Sequence, residues 1–218
     1  MGDIVVFLPP LLEGTRMTLA LTAASFVLSI AVGLVVCVCR LSRVAALSRA
    51  ATLYIEVIRG TPLLLQLFYI YYALPEVGIR LPAFGAGVAG LTINFGAYLA
   101  ELFRAGIQSI PAGQLEAARS TGLSEREAFR HVVLPQAVRV IFPALANYAL
   151  VMVKESSLVA VLSVRELMRA GELLASATFR TMTVYTLVGA IYLAVSYALA
   201  VAFRRAERRL KLPGTAQP

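Results

Sequence analysis

The sequence predicts an all-helical membrane protein, a single domain over residues 1–218 that crosses the bilayer five times. Three observations predict it. Of 218 residues, 59% are apolar and only 15% are charged, an apolar surplus that no water-soluble core of this size absorbs. The apolar residues, at a mean hydropathy of +0.79, fall in runs long enough to cross a hydrocarbon layer of about 30 Å as helix. The basic residues sit mostly between those runs. The net charge of +8 therefore reads as an orientation signal and not as an affinity for nucleic acid.

The first span covers 17–39, where 23 positions between Arg16 and Arg40 carry no charge. It exceeds the apolar segment of a secretion signal and no small-residue cleavage site follows, so it is expected to stay in the mature protein. The second, about 50–75, is interrupted by Glu56 and Arg59. A charge at mid-membrane costs about 2.5–3.5 kcal/mol, and the i, i+3 spacing predicts that these two pair. Thr61-Pro62 fits an N-cap followed by a first helical position, so this span is expected to break near Gly60. Its outer end carries Phe68, Tyr69, Tyr71 and Tyr72, the pattern of an interfacial belt.

The third span, about 82–103, is built on an uncharged run of 20 residues, 81–100, and closes on Glu101, spaced with Arg104 as a clamp. The fourth, about 138–162, is interrupted by Lys154 and Glu155, and the fifth, 181–203, is uncharged between Arg180 and Arg204. With the N-terminus outside and the C-terminus cytoplasmic, 13 basic residues lie on cytoplasmic segments. Five lie outside: Arg16, Arg80, Arg165, Arg169 and Arg180. That bias favours this orientation. The outer 161–180 segment reads as an interfacial helix, and the basic tail from Arg204 to Lys211 as a membrane-surface anchor.

Between spans three and four lies a polar segment, about 104–137, whose signals describe two short helices. Pro111 and Gly113 open the first and Gly122 suits its C′ position. Ser124 and Glu127 form a capping box for the second, which is expected to end before Pro135.

The richest polar cluster within any span is Lys154, Glu155, Ser156 and Ser157, placed beyond the midplane by 15 residues from Arg139, roughly 22 Å of helix. A zwitterionic amino acid needs a carboxylate for its ammonium group and donors for its own carboxylate. Glu155 and the serine hydroxyls supply both, with Asn94 and Gln66 at similar depth. The alternative is that Lys154 pairs with a carboxylate elsewhere and the rest join helices, as Asn147 is expected to do. The sequence leaves both open.

Other chemistries are poorly provided for. Two cysteines, Cys37 and Cys39, and one histidine, His131, make no disulfide framework or metal cluster. The only lysines, Lys154 and Lys211, follow no phosphate-binding glycine pattern, so ATP binding through a P-loop is excluded. One Asp and no HExxH motif leave a hydrolase almost unequipped. An ion-coupled secondary transporter or channel subunit is the alternative function. It would be expected to show an inverted repeat or a mid-membrane proton relay, and neither stands out.

A more specific pattern lies in the polar segment. Glu116-Ala117-Ala118, then Gly122, then Val132, Leu134 and Pro135 resemble the EAA signature of ABC-importer permeases, departing from it only in Val132 where the signature has isoleucine. Gly14-Thr15 with Thr18, Arg59-Gly60-Thr61-Pro62-Leu63-Leu64, Ala97-Tyr98-Leu99-Ala100-Glu101 and Arg104-Ala105-Gly106-Ile107 resemble the polar amino-acid uptake group. Gly113-Gln114 and Lys154-Glu155-Ser156-Ser157-Leu158 extend the likeness, the last departing from that group's K-D-T-S-L while keeping a carboxylate and a hydroxyl.

The resemblance implies a type I importer (MetI-like) transmembrane domain in a bacterial cytoplasmic (inner) membrane. The expected partners are an ABC ATPase dimer, a second permease chain (identical or related), an extracytoplasmic solute-binding protein and the amino-acid substrate. ATP and Mg would sit on the partner ATPase, with no cofactor on this chain. Glu116, Ala117, Ala118, Gly122, Leu134 and Pro135 would couple to the ATPase as a coupling helix. The expected substrate-pathway residues are Gln66, Asn94, Glu155, Ser156 and Ser157.

Overall fold

The computed structural model describes residues 2–210, and every regular element among them is helical. Helix α1 (Gly2–Leu41) is 40 residues long, about 60 Å of helix and far more than one bilayer needs. Helix α2 (Ala45–Arg59) meets α3 (Leu63–Phe68) at a break, and the two segments are bent by 104°. From α3 the chain continues through a π-turn (Tyr69–Ala73) and a 3-10 turn (Leu74–Val77). Helix α4 (Ala83–Gln108) is the central element. Helices α5 (Ala112–Ser120) and α6 (Glu125–Ala128) form the polar connection to α7 (Leu134–Glu155). Helix α8 (Leu167–Thr178) and the long α9 (Thr181–Leu210) complete the chain.

Four helical stretches are long and apolar enough to cross a membrane, and five if the bent α2–α3 pair counts as one. Most helices overrun their expected spans. The expected start of span one at residue 17 falls well inside α1, whose N-terminal part packs Phe7 and Leu11 against Leu167, Ala175, Val184 and Val188. Lys211 lies outside the described residues.

The sequence reading placed a helix boundary before Pro135, and the structure corrects it. Helix continues from Glu125 to Leu162 because residues 129–133 widen into a π-turn, in which the Leu134 N–H reaches the Phe129 carbonyl five residues back. A wider turn relieves the clash that a proline ring makes with the preceding turn. Thr61 is also not the N-cap of α3. That position belongs to Pro62, and the Thr61 hydroxyl turns backward to Val57 O at 2.9 Å.

Helix α4 is central because it is lined with small residues. A Cβ built on Gly90 would lie 2.5 Å from Leu67 of α3, and one on Gly87 equally close to Val159. A Cβ on Gly96 would meet Val32 of α1 at 2.7 Å, and one on Gly106 would collide with Ile141 of α7. Where lipid is as apolar as leucine, close backbone approach rather than hydrophobicity holds helices together. At the N-terminal end of α1, the fully buried Glu166 ties three elements together. It accepts from the Thr18 hydroxyl (3.3 Å), the Tyr192 hydroxyl (2.8 Å) and the Arg169 N–H (2.7 Å). By contrast, among the residues of α9 whose burial is described, only Val184 and Val188 are buried.

Gly90→Val is expected to overpack the α3–α4 contact at Leu67 and to destabilise the protein by about 1–3 kcal/mol. A lowered midpoint of thermal unfolding in detergent checks this.

Candidate functional site

Two regions carry the sequence-predicted residues, one at each level of the fold. The first is the polar connection. Helix α5 ends in a Schellman arrangement: Gly122 adopts φ +89°, its N–H donates to Arg119 O (2.9 Å), and Leu123 N–H donates to Ala118 O (3.3 Å). Helix α6 opens with the expected capping box. The Ser124 N–H and hydroxyl donate to the Glu127 carboxylate at 3.0 and 2.6 Å, and the Glu127 N–H donates to the Ser124 hydroxyl at 3.4 Å. Those bonds hold the Glu127 carboxyl below the ordinary glutamate range, the Ser124 hydroxyl foremost. The cap is therefore complete at neutral pH and is lost as pH falls through that lowered value.

Arg119 and Glu125 bridge the two helices at 2.7 Å, but both side chains are well exposed, so the pair orients more than it stabilises. Ala118 and Ala128 are buried, while Glu116, Ala117, Gly122, Leu134 and Pro135 are exposed. A cavity of about 300 Å³ beside them is lined mostly by apolar side chains, including Ile107, Leu115 and Phe129, with Arg119 and Glu125 among its walls. The result is a capped helix beside a mostly apolar cavity, presenting the Glu116-Ala117 edge outward. At its base Arg104 grips Glu101 at 2.6 Å and Gln108 at 2.6 Å.

The second region is a cavity of about 520 Å³ where the α2–α3 break faces α4 and α7. Arg59, Gly60, Thr61, Pro62 and Leu63 line one wall, Asn94, Phe95 and Tyr98 another, and Tyr148, Val151 and Glu155 the third. Phe95, Tyr98 and Tyr148 form a ring cluster with centroids 6.0–6.5 Å apart. The Arg59 guanidinium lies 5.1 Å from the Tyr98 centroid, a cation–π placement that keeps its N–H groups free at the rim. The expected Glu56–Arg59 ion pair is absent among the described residues. Arg59 is the last residue of α2, and its side chain turns to Tyr98 of α4 instead.

The five expected pathway residues separate. Asn94 and Glu155 line this cavity. Gln66 is 8% exposed and spends its amide on the helix break. Ser156 is fully buried, its hydroxyl donating to Val153 O at 2.7 Å, so it does not reach the cavity. Ser157 donates to Lys154 O and faces a different groove, shared with Lys154, Tyr185 and Tyr192. Lys154 and Glu155 thus line different cavities, as consecutive helical positions about 100° apart allow. Asn147, expected between helices, is exposed. Arg59 is a charged lining residue of this cavity that the sequence reading assigned to an ion pair with Glu56 instead. The signal that it lines the cavity was its place beside Gly60 at the predicted break.

The arrangement sets a guanidinium and a carboxylate on different walls of one cavity, with aromatic faces and an amide between them. A molecule carrying both a carboxylate and an ammonium group complements it.

A family described as "Binding-protein-dependent transport system inner membrane component" matches residues 25–212. The chain is 41% identical over 189 residues to a "Probable glutamine ABC transporter permease protein GlnM" of Bacillus subtilis, covering 87% of this chain and 86% of that one. It is 37% identical over 207 residues to the "Glutamine transport system permease protein GlnP" of Escherichia coli, covering 94% of each. Among solved structures, a chain of an amino acid ABC transporter with histidines superposes with a TM-score of 0.90 at 41% identity. That match covers 95% of this chain and 97% of the other. A chain of the MetNI methionine ABC transporter shares the fold at a TM-score of 0.76 and 23% identity, covering 94% and 98%.

Ser124→Ala is expected to remove the α6 cap at a cost of about 1 kcal/mol of local helix stability. Faster amide hydrogen exchange confined to residues 125–133 checks it.

Proposed function

Since the chain belongs to the family of binding-protein-dependent transport system inner membrane components, multi-pass permeases of amino-acid ABC transporters, we propose that it lines the path of a polar amino acid. Glutamine is the first candidate. In this reading the chain lies in a bacterial cytoplasmic membrane, N-terminus outside, with the bent α2–α3 pair as its second span. A second permease, identical or related, faces it across the pathway. A solute-binding protein delivers substrate from outside, and a separate ATPase dimer, holding ATP and Mg, docks on the cytoplasmic side.

The observation that carries the substrate reading is the common cavity of Arg59 and Glu155. Arg59 offers a planar fork of donors to the substrate carboxylate. Glu155, without an ion-pair partner among the described residues, accepts from the ammonium group. Asn94 lies at the same cavity and suits an amide side chain. The relatives named for glutamine and the histidine-bearing structure support an amino acid as cargo.

The coupling reading rests on the exposed Glu116-Ala117 edge of α5, which is followed directly by the capped α6. A short helix closed at its C-terminal end by Gly122 and followed at once by the Ser124 cap moves as one body. ATPase closure against it tilts α4 and α7, between which the cavity lies, and that tilt gives alternating access. Leu134 and Pro135 at the π-turn sit where the motion would enter α7.

Two experiments test the proposal. In proteoliposomes with ATPase and binding protein, Arg59→Ala and Glu155→Gln are each expected to cut amino-acid uptake by at least about tenfold, a loss near 1.4 kcal/mol. ATPase co-purification should stay intact, and unchanged uptake would remove the residue from the pathway. Gly122→Val places a β-branched residue at φ +89°, a strain of about 1–3 kcal/mol. It is expected to abolish ATPase co-purification while membrane insertion persists. Normal co-purification would refute the coupling role of this loop.

A further inference from the structure

The break in span two leaves carbonyls at the end of α2 without helical partners, in a layer where water is scarce. Gly60 N–H takes Glu56 O at 2.8 Å, and the Thr61 hydroxyl takes Val57 O at 2.9 Å. Three further acceptors of the break converge on one side chain. The Gln66 Nε2 donates to Ile58 O (2.8 Å), Thr61 O (3.2 Å) and Thr61 Oγ1 (2.8 Å). The Gln66 Oε1 accepts from the Asn94 Nδ2 of α4 at 3.0 Å.

Ile58 and Thr61 flank Arg59 and Gly60 on either side. Gln66 therefore holds both ends of the short segment that carries Arg59, and ties that segment to α4. It does so from outside the cavity wall, 8% exposed.

We infer that Gln66 is a positioning residue for substrate recognition: its side-chain amide replaces the missing backbone bonds of the break and thereby aims the Arg59 guanidinium into the cavity. The inference rests on the proposed role of that cavity. Gln66 touches no substrate. The glutamine amide fits because the segment needs a donor toward α2 and an acceptor toward α4 from one side chain. Methionine matches its length without either group. Glutamate keeps the acceptor and, when ionised, loses the donor.

The test uses the purified permease–ATPase complex without the binding protein, with radiolabelled L-glutamine, L-arginine and L-histidine as probes. Gln66→Met and Gln66→Glu are each expected to weaken binding of the preferred probe about tenfold. The double variant Arg59→Ala/Gln66→Met should bind no more weakly than Arg59→Ala alone, since a residue acting through Arg59 has nothing left to act on. A residue that merely supported the fold would lower binding additively.

Wild-type affinity in Gln66→Met, or additive losses in the double variant, would overturn the inference. So would failure of both single variants to assemble with the ATPase, which would assign Gln66 to folding alone. An Arg59→Ala complex with unchanged affinity, or a wild-type complex binding none of the probes, would overturn the cavity reading itself.

Discussion

A polypeptide that stops being helical inside a bilayer must satisfy the groups it frees, because no water is there to do so. The break at Gly60 is where this protein meets that constraint, and the cavity is its consequence. The 104° bend turns α3 away from the path of α2 and opens the space that Arg59, Tyr98 and Glu155 line. Thr61 and Gln66 absorb the freed carbonyls. An unbroken helix would be cheaper and would leave no concave wall on this side of α4. The small residues of α4 complete the arrangement. Gly90 lets Leu67 pack against α4, which seats the bent segment on the helix that also packs against α1, α2 and α7.

The polar connection solves a different problem with the same economy. A surface loop that transmits force must not flex, and it has few buried contacts with which to stiffen itself. Here stiffness comes from the helix ends. The Schellman turn at Gly122 and the reciprocal Ser124–Glu127 bonds fix the turn between α5 and α6. The π-turn at 129–133 then joins this unit to α7 without a break, despite Pro135. In the proposed coupling, rigid loop and continuous helix together act as a lever. The cavity lies along the α7 arm of that lever, at Tyr148, Val151 and Glu155.

Much of this was legible in the sequence. Charge-free runs located α1, α4 and α9, and the Gly60-Thr61-Pro62 punctuation located the break. Gly122, Ser124 and Glu127 announced the caps, because turns and caps are local and their chemistry is written in adjacent residues. What was not legible depended on contacts far along the chain. Arg59 looked like the partner of Glu56 by spacing, while its actual neighbour, Tyr98, lies on another helix. Gln66 and Ser156 looked available to a substrate. Their hydroxyl and amide are instead committed to backbone carbonyls, a choice set by burial and not by residue type. The continuity through Pro135 was hidden because a π-turn has no residue signature of its own.

The central claim is that the break in span two builds a substrate-filled cavity. Thiol accessibility in membranes tests it most directly. In a background with Cys37 and Cys39 replaced by alanine, Val151→Cys on the cavity wall and Ser156→Cys five residues further on, in the packed interior, would be exposed to a membrane-impermeant maleimide in the assembled transporter. The account predicts that Val151→Cys is labelled, that the transported amino acid slows its labelling, and that Ser156→Cys stays unlabelled. A Val151→Cys protein that resists the reagent, or that reacts at the same rate with and without any amino acid, would contradict it.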